Sequence, residues 1–391
     1  MRLFLVAGEP SGDRLGAALM AGLKLLRSDV EFRGIGGLLM QAEGLVPILP
    51  MEELSVIGLA EILPRIRGLL ARVRQTADEV ARMRPDALIT IDIPEFSLRV
   101  TPKVKARLPN LPTIHYVAPT VWAWRAGRAV RMARSVDHVL ALFPFEPPLM
   151  KAAGMTCDFV GHPVATDPVA GPEEAADFRA RHGIAPTAPL ILALPGSRRG
   201  EVNRLAPIFG KTLGLVLSDH PNAQVALPTV PAVTPLVRDM VATWPIPPRI
   251  IETGTSTFAA EKRAAFAAAD VALAASGTVS LELAAAATPM VIAYDMSWLS
   301  KQLIRRLLKV DTVTLVNLVS GVHAVPEFLA GNCRAERIAP ALSALLSGSE
   351  ARVGQDEAAA LAMVRLGRGG ELPGLRAARS VLDAIAHAGR A

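Results

Sequence analysis

Residues 270–294, DVALAASGTVSLELAAAATPMVIAY, read as strand, small-residue turn, helix and strand in close succession. Val271–Ala274 and Pro289–Tyr294 are short apolar runs of strand length, and Val279–Ala286 is the helix between them. Strands alternating with helices imply a parallel sheet with crossover helices, so the fold class is α/β. The turn Ser276-Gly277-Thr278 then sits at the carboxyl end of its strand, where open α/β sheets bind ligands, and opens the next helix. Free backbone N–H groups and the positive end of a helix dipole suit an anion there. Gly277 lets a phosphate approach the backbone, and the two hydroxyls can donate to it. Glu282, one helical turn later, is placed to accept hydrogen bonds from a sugar diol. The same residues also fit an ordinary βα turn capped by Ser and Thr.

A second turn of this kind lies upstream. The strand Leu190–Leu194 runs into Pro195-Gly196-Ser197-Arg198-Arg199-Gly200-Glu201, a glycine–serine turn with two cations that leads into a helix. Arg198 can fork onto a diphosphate. Two such turns at strand ends make a diphosphate clamp of Gly196, Ser197, Arg198, Ser276, Gly277 and Thr278. Gln224–Leu227 and Arg249–Glu252 belong to the same βα series, which the Pro- and Gly-rich stretch Gly161–Pro172 separates from an earlier one.

The earlier series starts with the strand Arg2–Ala7 and the turn Gly8-Glu9-Pro10-Ser11-Gly12-Asp13. That turn is neither G-x-G-x-x-G nor a Walker loop ending in GK[ST], so it supports no dinucleotide or ATP site. Val30–Ile35, Ala87–Ile91, Thr113–Val117, His138–Leu142 and Thr156–Val160 continue the series. Asp92 and Glu95 follow Ala87–Ile91 at its carboxyl end. Two carboxylates there can supply a general base and a neighbour that tunes it, while Asp92 fits equally well as a cap of the helix starting near Pro94. Two of the four tryptophans, Trp122 and Trp124, fall in the loop after His115 and Tyr116, ahead of Arg125, Arg128, Arg131 and Arg134. Stacking and cation–π contacts to a sugar or phosphate suit this loop. His115 also fits a satisfied core histidine.

Composition narrows the function classes. At 391 residues the chain exceeds a single core and should form two domains. Apolar residues make up 51% and mean hydropathy is +0.34, yet no run of about 18 apolar residues suits a bilayer span. The opening MRLFLVAGEPSGD reads as a strand rather than a signal peptide. Two cysteines, Cys157 and Cys333, give no disulfide framework or metal cluster, which predicts a reducing cytoplasm. The net charge of +6 suits anionic partners. Aromatics are only 4% and are not interleaved with the basic runs, which argues against nucleic acid. Charge and hydropathy together point to a membrane surface.

The stretch from Ser55 to Arg74 carries that expectation. Leu59, Ile62, Leu63, Ile66, Leu69, Leu70 and Val73 form an apolar stripe of helical period, flanked by Arg65, Arg67, Arg72 and Arg74. A basic amphipathic helix can lie in a membrane interface. A core-facing helix with a solvated basic side has the same pattern.

Several stretches together resemble the lipid-A-disaccharide synthases: VAGEPSGD, GIGG with MQAEG behind it, MEELSVIGLAEIL, IDIPEF, IHYVAPTVWAWR, FPFE, FVGHP, LPGSRRGEV and AASGTVSLELA, in the family's order from Leu5 to about Leu329. The resemblance implies a GT-B glycosyltransferase with two Rossmann-like domains and a central cleft. Residues 1–165 would take the acceptor and face the membrane, and residues 173–345 would bind the UDP-sugar; the resemblance carries nothing past residue 335, and residues 346–391, rich in Ala, Leu and Arg, read from their composition as helices expected to pack back on the first domain. The implied partners are UDP-2,3-diacylglucosamine and 2,3-diacylglucosamine 1-phosphate, joined by inverting transfer to the 6-hydroxyl at the cytoplasmic face of the inner membrane. Asp92 matches the family's acidic position and would be the base; Glu95 stands where the family carries an aspartate. The diphosphate clamp would hold UDP, with Glu282 on the ribose and Asn317 reaching the nucleotide. Ser11, Gly12, Asp13, Glu95, His115, Trp122 and Arg125 would line the acceptor side. No cofactor or metal is expected, since there is no Asp-x-Asp motif. Two other readings share the second domain: an enzyme similar to UDP-N-acetylglucosamine 2-epimerase, and a non-catalytic peripheral nucleotide-binding protein.

Overall fold

The structure, a computed structural model, describes residues 1–54, 59–121, 127–252, 258–295, 311–348 and 350–389, with the side chains of 59–67 and 258 outside that description. The chain divides into two compact units, Met1–Thr166 with Gly369–Ala391, and Asp167–Arg368.

The first unit holds a seven-stranded sheet in the order β3-β2-β1-β4-β5-β6-β7. Its strands are β1 (Arg2–Ala7), β2 (Glu31–Ile35), β3 (Leu45–Pro47), β4 (Ala87–Ile91), β5 (Thr113–Tyr116), β6 (His138–Ala141) and β7 (Thr156–Phe159). All neighbours pair in parallel. The central strands are buried on both faces, which explains their nearly unbroken apolar sequences. Alternation along β1 divides the core in two. Leu3, Leu5 and Ala7 face one layer with Leu19 and Leu23 of α1 (Pro10–Leu26). Phe4 and Val6 face the other with Val73, Ala77 and Val80 of α3 (Leu59–Met83) and Phe96 and Val100 of α4 (Pro94–Lys105). The short helices α2 (Leu38–Ala42), α5 (Gly127–Met132) and α6 (Pro147–Ala152) follow β2, the β5 loop and β6.

The second unit repeats the plan with a six-stranded sheet, β10-β9-β8-β11-β12-β13. Its strands are β8 (Leu190–Leu194), β9 (Gln224–Thr229), β10 (Arg249–Glu252), β11 (Val271–Ala275), β12 (Met290–Tyr294) and β13 (Glu327–Leu329). The helices are α7 (Pro172–Arg181), α8 (Arg199–Asp219), α9 (Thr234–Val241), α10 (Phe258–Ala268), α11 (Val279–Ala285), α12 (Leu315–Ser320), α13 (Ala335–Leu346) and α14 (Glu350–Arg365). In both sheets the strand order reverses beside the first strand, between β1 and β4 and between β8 and β11. Doubly wound sheets bind ligands at the carboxyl ends of such strands.

The segment from residue 346 onward divides. Helix α14 stays with the second unit, where Gln355 bonds both the N–H and the carbonyl of Met290. Only the last helix, α15 (Pro373–Ala388), returns to the first unit. There a Cβ on Gly374 would lie 2.4 Å from the Ala18 carbonyl oxygen of α1, so the two helices meet backbone to backbone. Arg376 donates to the Phe159 carbonyl at 2.8 Å, and Ser380 Oγ joins His138 Nε2 and Asp158 Oδ2, each at 2.7 Å.

Candidate active site

In the second unit, the two turns foreseen from the sequence meet at the reversal point. Leu194 of β8 pairs with Ala274 of β11, so Pro195–Arg198 and Ser276–Thr278 leave the sheet side by side. Gly196, Ser197 and Arg198 line one cavity of about 420 Å³ with Ser276, Gly277 and Thr278, together with Glu201, Pro228, Val230, Lys262, Val279 and Glu282. Arg198 is the N-cap of the long helix α8; its guanidinium is exposed, with Nη1 3.4 Å from Glu201 Oε1, and stands with the positive end of that helix where an anion can approach. Gly196 has φ +116 and Gly277 φ +152, conformations that keep both turns tight without a side chain in the way. Pro228 and Val230, at the end of β9, add an apolar wall.

Glu201 and Lys262 are the residues that reading the sequence missed. Glu201 closes a capping box: its Oε2 accepts the backbone N–H groups of Ser197 at 3.3 Å and Arg198 at 3.4 Å. The signal was visible as an acid three residues after the N-cap. Lys262, on α10, forms an ion pair with Glu282 of α11. No local motif announces it.

Asn317 lies elsewhere. Its side chain is buried and satisfied, donating to the Val325 carbonyl at 2.9 Å and to Thr312 Oγ1 at 3.3 Å while Oδ1 accepts the Val325 N–H at 3.0 Å. It ties a loop together and does not line the cavity.

In the first unit, Asp92 follows β4 at the reversal point, next to Gly8 after β1. Asp92 and Ile93 both have left-handed backbone, φ +53 and +40, and Val117, after β5, has φ +80. Such conformations cost on the order of 1–3 kcal/mol each for residues other than glycine, and cluster at functional sites. The strain is held in place: the Asp92 N–H donates to the Tyr116 carbonyl at 2.9 Å, and Ser97 Oγ donates to the Asp92 carbonyl at 2.9 Å. The half-buried carboxyl has its pKa raised from 3.8 by desolvation, against a lowering hydrogen bond from Ile93 N–H.

Other expected acceptor residues have structural duties. Asp13 is buried, its two oxygens accepting the N–H groups of Leu39 and Met40 at 3.0 Å, which caps α2. Gly12 lets α1 approach β1 and β4, since a Cβ would sit 3.3 Å from that of Ala7. Ser11 is exposed in the first turn of α1. His115 is buried within β5, its Nδ1 2.7 Å from Thr90 Oγ1, and burial lowers its pKa to about 4. It is a neutral core histidine. Glu95 is exposed and paired with Arg99 and with Arg128 Nη2 at 2.9 Å. Trp122 and Arg125 lie outside the described residues. So do the side chains of Leu59, Ile62, Leu63 and Ile66; further along α3, Leu69 packs against the core and Leu70 is exposed. No helix of the described residues is long and apolar enough to cross a membrane.

Another feature of this edge was not foreseen. Glu146, in the turn after β6, is buried and accepts the N–H groups of Leu142 at 3.1 Å and Phe143 at 3.0 Å, yet burial raises its pKa to about 8.

Comparison with known proteins agrees with this architecture. Among solved structures, UDP-GlcNAc 2-epimerase from Neisseria meningitidis bound to UDP-GlcNAc superposes with a TM-score of 0.65 at 10% identity, covering 99% of this chain and 100% of that one. The UDP-GlcNAc 2-epimerase of Methanocaldococcus jannaschii in complex with UDP-GlcNAc and UDP gives 0.61 at 12% identity, covering 99% and 100%. At these identities the likeness is one of fold, the GT-B class with two Rossmann-like units. In sequence, the lipid-A-disaccharide synthase of Ruegeria pomeroyi is 56% identical over 388 residues, 98% of this chain and 96% of that protein. The synthase of Rhodospirillum centenum is 47% identical, covering 98% and 94%. The family described as Lipid-A-disaccharide synthetase matches residues 3–367. The chain therefore belongs to the lipid-A-disaccharide synthase family of glycosyltransferases.

Proposed function

We propose that the chain transfers 2,3-diacylglucosamine from UDP-2,3-diacylglucosamine to the 6-hydroxyl of 2,3-diacylglucosamine 1-phosphate, giving the β-1,6 disaccharide 1-phosphate and UDP. The observation that carries this reading is a cavity with two small-residue turns and Arg198, suited to a diphosphate, in a chain matched to the family along nearly its whole length. In a single inverting displacement, the acceptor O6 bonds to the donor anomeric carbon while that carbon's bond to the β-phosphate oxygen breaks. The transition state is oxocarbenium-like, the O6 proton passes to Asp92, and the bonding pair leaves with UDP. Desolvation suits Asp92 to this task, because a raised pKa strengthens it as a base. Charge building on the departing phosphate is met by Arg198 and the turns at Gly196–Ser197 and Ser276–Thr278, with Glu282 on the ribose.

Peripheral binding to the cytoplasmic face of the inner membrane is part of the proposal. It is supported by the basic, amphipathic sequence of α3, by exposed Leu70 and by the net charge of +6. Incubation with both acylated substrates and mass spectrometry tests the reaction: UDP and the disaccharide 1-phosphate should appear together. Release of UDP without the disaccharide, or no turnover of either substrate, contradicts it.

A further inference from the structure

We infer that Lys262 is a positioning residue of the donor site, aiming the Glu282 carboxylate at the ribose hydroxyls; this rests on the donor-site reading above. The two side chains come from different helices, α10 and α11, and line the same cavity. The Lys262 ammonium lies between the Glu282 carboxylate and the ring of buried Phe266, 5.3 Å from the ring centroid. Free surface pairs of long side chains contribute little because both partners must be ordered. Here the lysine is held from two sides, with only 27% of its side chain exposed.

The chemistry follows from counting donors and acceptors. Lys262 binds Oε2 of Glu282, which leaves Oε1 to accept from a vicinal diol. Charge gives the pair a second role. The charged lining comprises the cations Arg198 and Lys262 and the acids Glu201 and Glu282. Without Lys262 the cavity would be net negative and would repel the diphosphate it has to receive.

The test is a double-mutant cycle read by calorimetric titration with UDP and with 2′-deoxy-UDP. In the parent protein UDP should bind about tenfold more tightly than the deoxy form. In Lys262→Met, UDP affinity should fall about tenfold and the preference for the ribose hydroxyl should collapse to within about twofold. Lys262→Arg should restore much of that preference, a rescue that loss of packing alone would not show. In the Glu282→Gln background, Lys262→Met should change the preference for UDP over 2′-deoxy-UDP by less than about twofold, because the partner it positions is already gone. Additive effects on that preference, or an unchanged preference for UDP over its deoxy form in Lys262→Met, overturn the inference and leave the donor reading intact. A parent protein that fails to bind UDP, or an Arg198→Ala variant that binds it undiminished, overturns the donor reading itself.

Discussion

Glu201 folds back beneath Gly196 so closely that a Cβ on the glycine would lie 2.6 Å from its Oε2. The capping acid and the glycine therefore define the turn after β8 jointly, the first of the two proposed to hold the diphosphate. Gly196→Ala brings both this clash and a side chain at φ +116. Because the turn is exposed and outside the core, the expected result is a folded protein with the Michaelis constant for the UDP-sugar raised at least about tenfold. Steady-state kinetics beside a thermal melt checks it; an unchanged Michaelis constant argues against the turn as a phosphate site.

Asp92→Asn keeps the size and the left-handed backbone tolerance of the residue while removing the carboxylate proposed as the base. Turnover should fall by about two to four orders of magnitude with UDP affinity unaltered. For the parent enzyme, the base must be ionised to act, and its pKa is raised above 3.8. Activity should therefore decline with acidification at a pH above the ordinary aspartate range. A pH profile flat down to pH 4 would remove Asp92 from this role.

Glu146 predicts a stability profile. Its pKa is raised to about 8 by burial, so between its ordinary value of 4.5 and about 8 the folded state holds a proton that the unfolded state lacks. Stability contributed by this group is therefore full at low pH and lost as pH rises through that window, by at most about 1.4 kcal/mol per unit. Glu146→Gln should flatten the decline measured by denaturant titration between pH 5 and pH 8. If both proteins keep the same slope, the carboxyl is ionised throughout.

The membrane attachment proposed for α3 can be tested apart from core packing. Val73 is buried and Leu69 packs against the core, so their replacement would destabilise the first unit. Replacing Ile62, Leu63 and Ile66 with serine should instead leave the melting temperature nearly unchanged and abolish co-sedimentation with vesicles containing anionic lipid. Unfolding of this triple variant would show that the stripe belongs to the core along its whole length.

What the sequence disclosed was mostly local. The strand–turn–helix runs around Leu194 and Ala275 announce themselves because buried parallel strands are short, apolar and punctuated by glycine. What it concealed depends on partners far along the chain. His115 looks like a loop-end ligand until β4 and β5 pair Thr90 directly with it. Asn317 sits in a family-like stretch, but its amide is committed to Thr312 and Val325 once the following loop folds back. Asp13, in a glycine turn, reads as an acceptor-side residue, whereas the orphan N–H groups of α2 claim both its oxygens. Lys262 carries no motif because its meaning lies in Glu282, on another helix.

Helix α15 gives the first unit a discontinuous chain: Met1–Thr166 and the closing segment enclose, in sequence, the continuous second unit. During synthesis from the N-terminus, the second unit has all its residues while the first still lacks the helix that covers α1. Until that helix emerges, Leu19, Leu23 and their neighbours on that face of the first sheet miss the contacts that Ala377, Ala378 and Val381 later provide. The growing chain thus exposes an apolar face on its earlier-made unit until α15 has been translated.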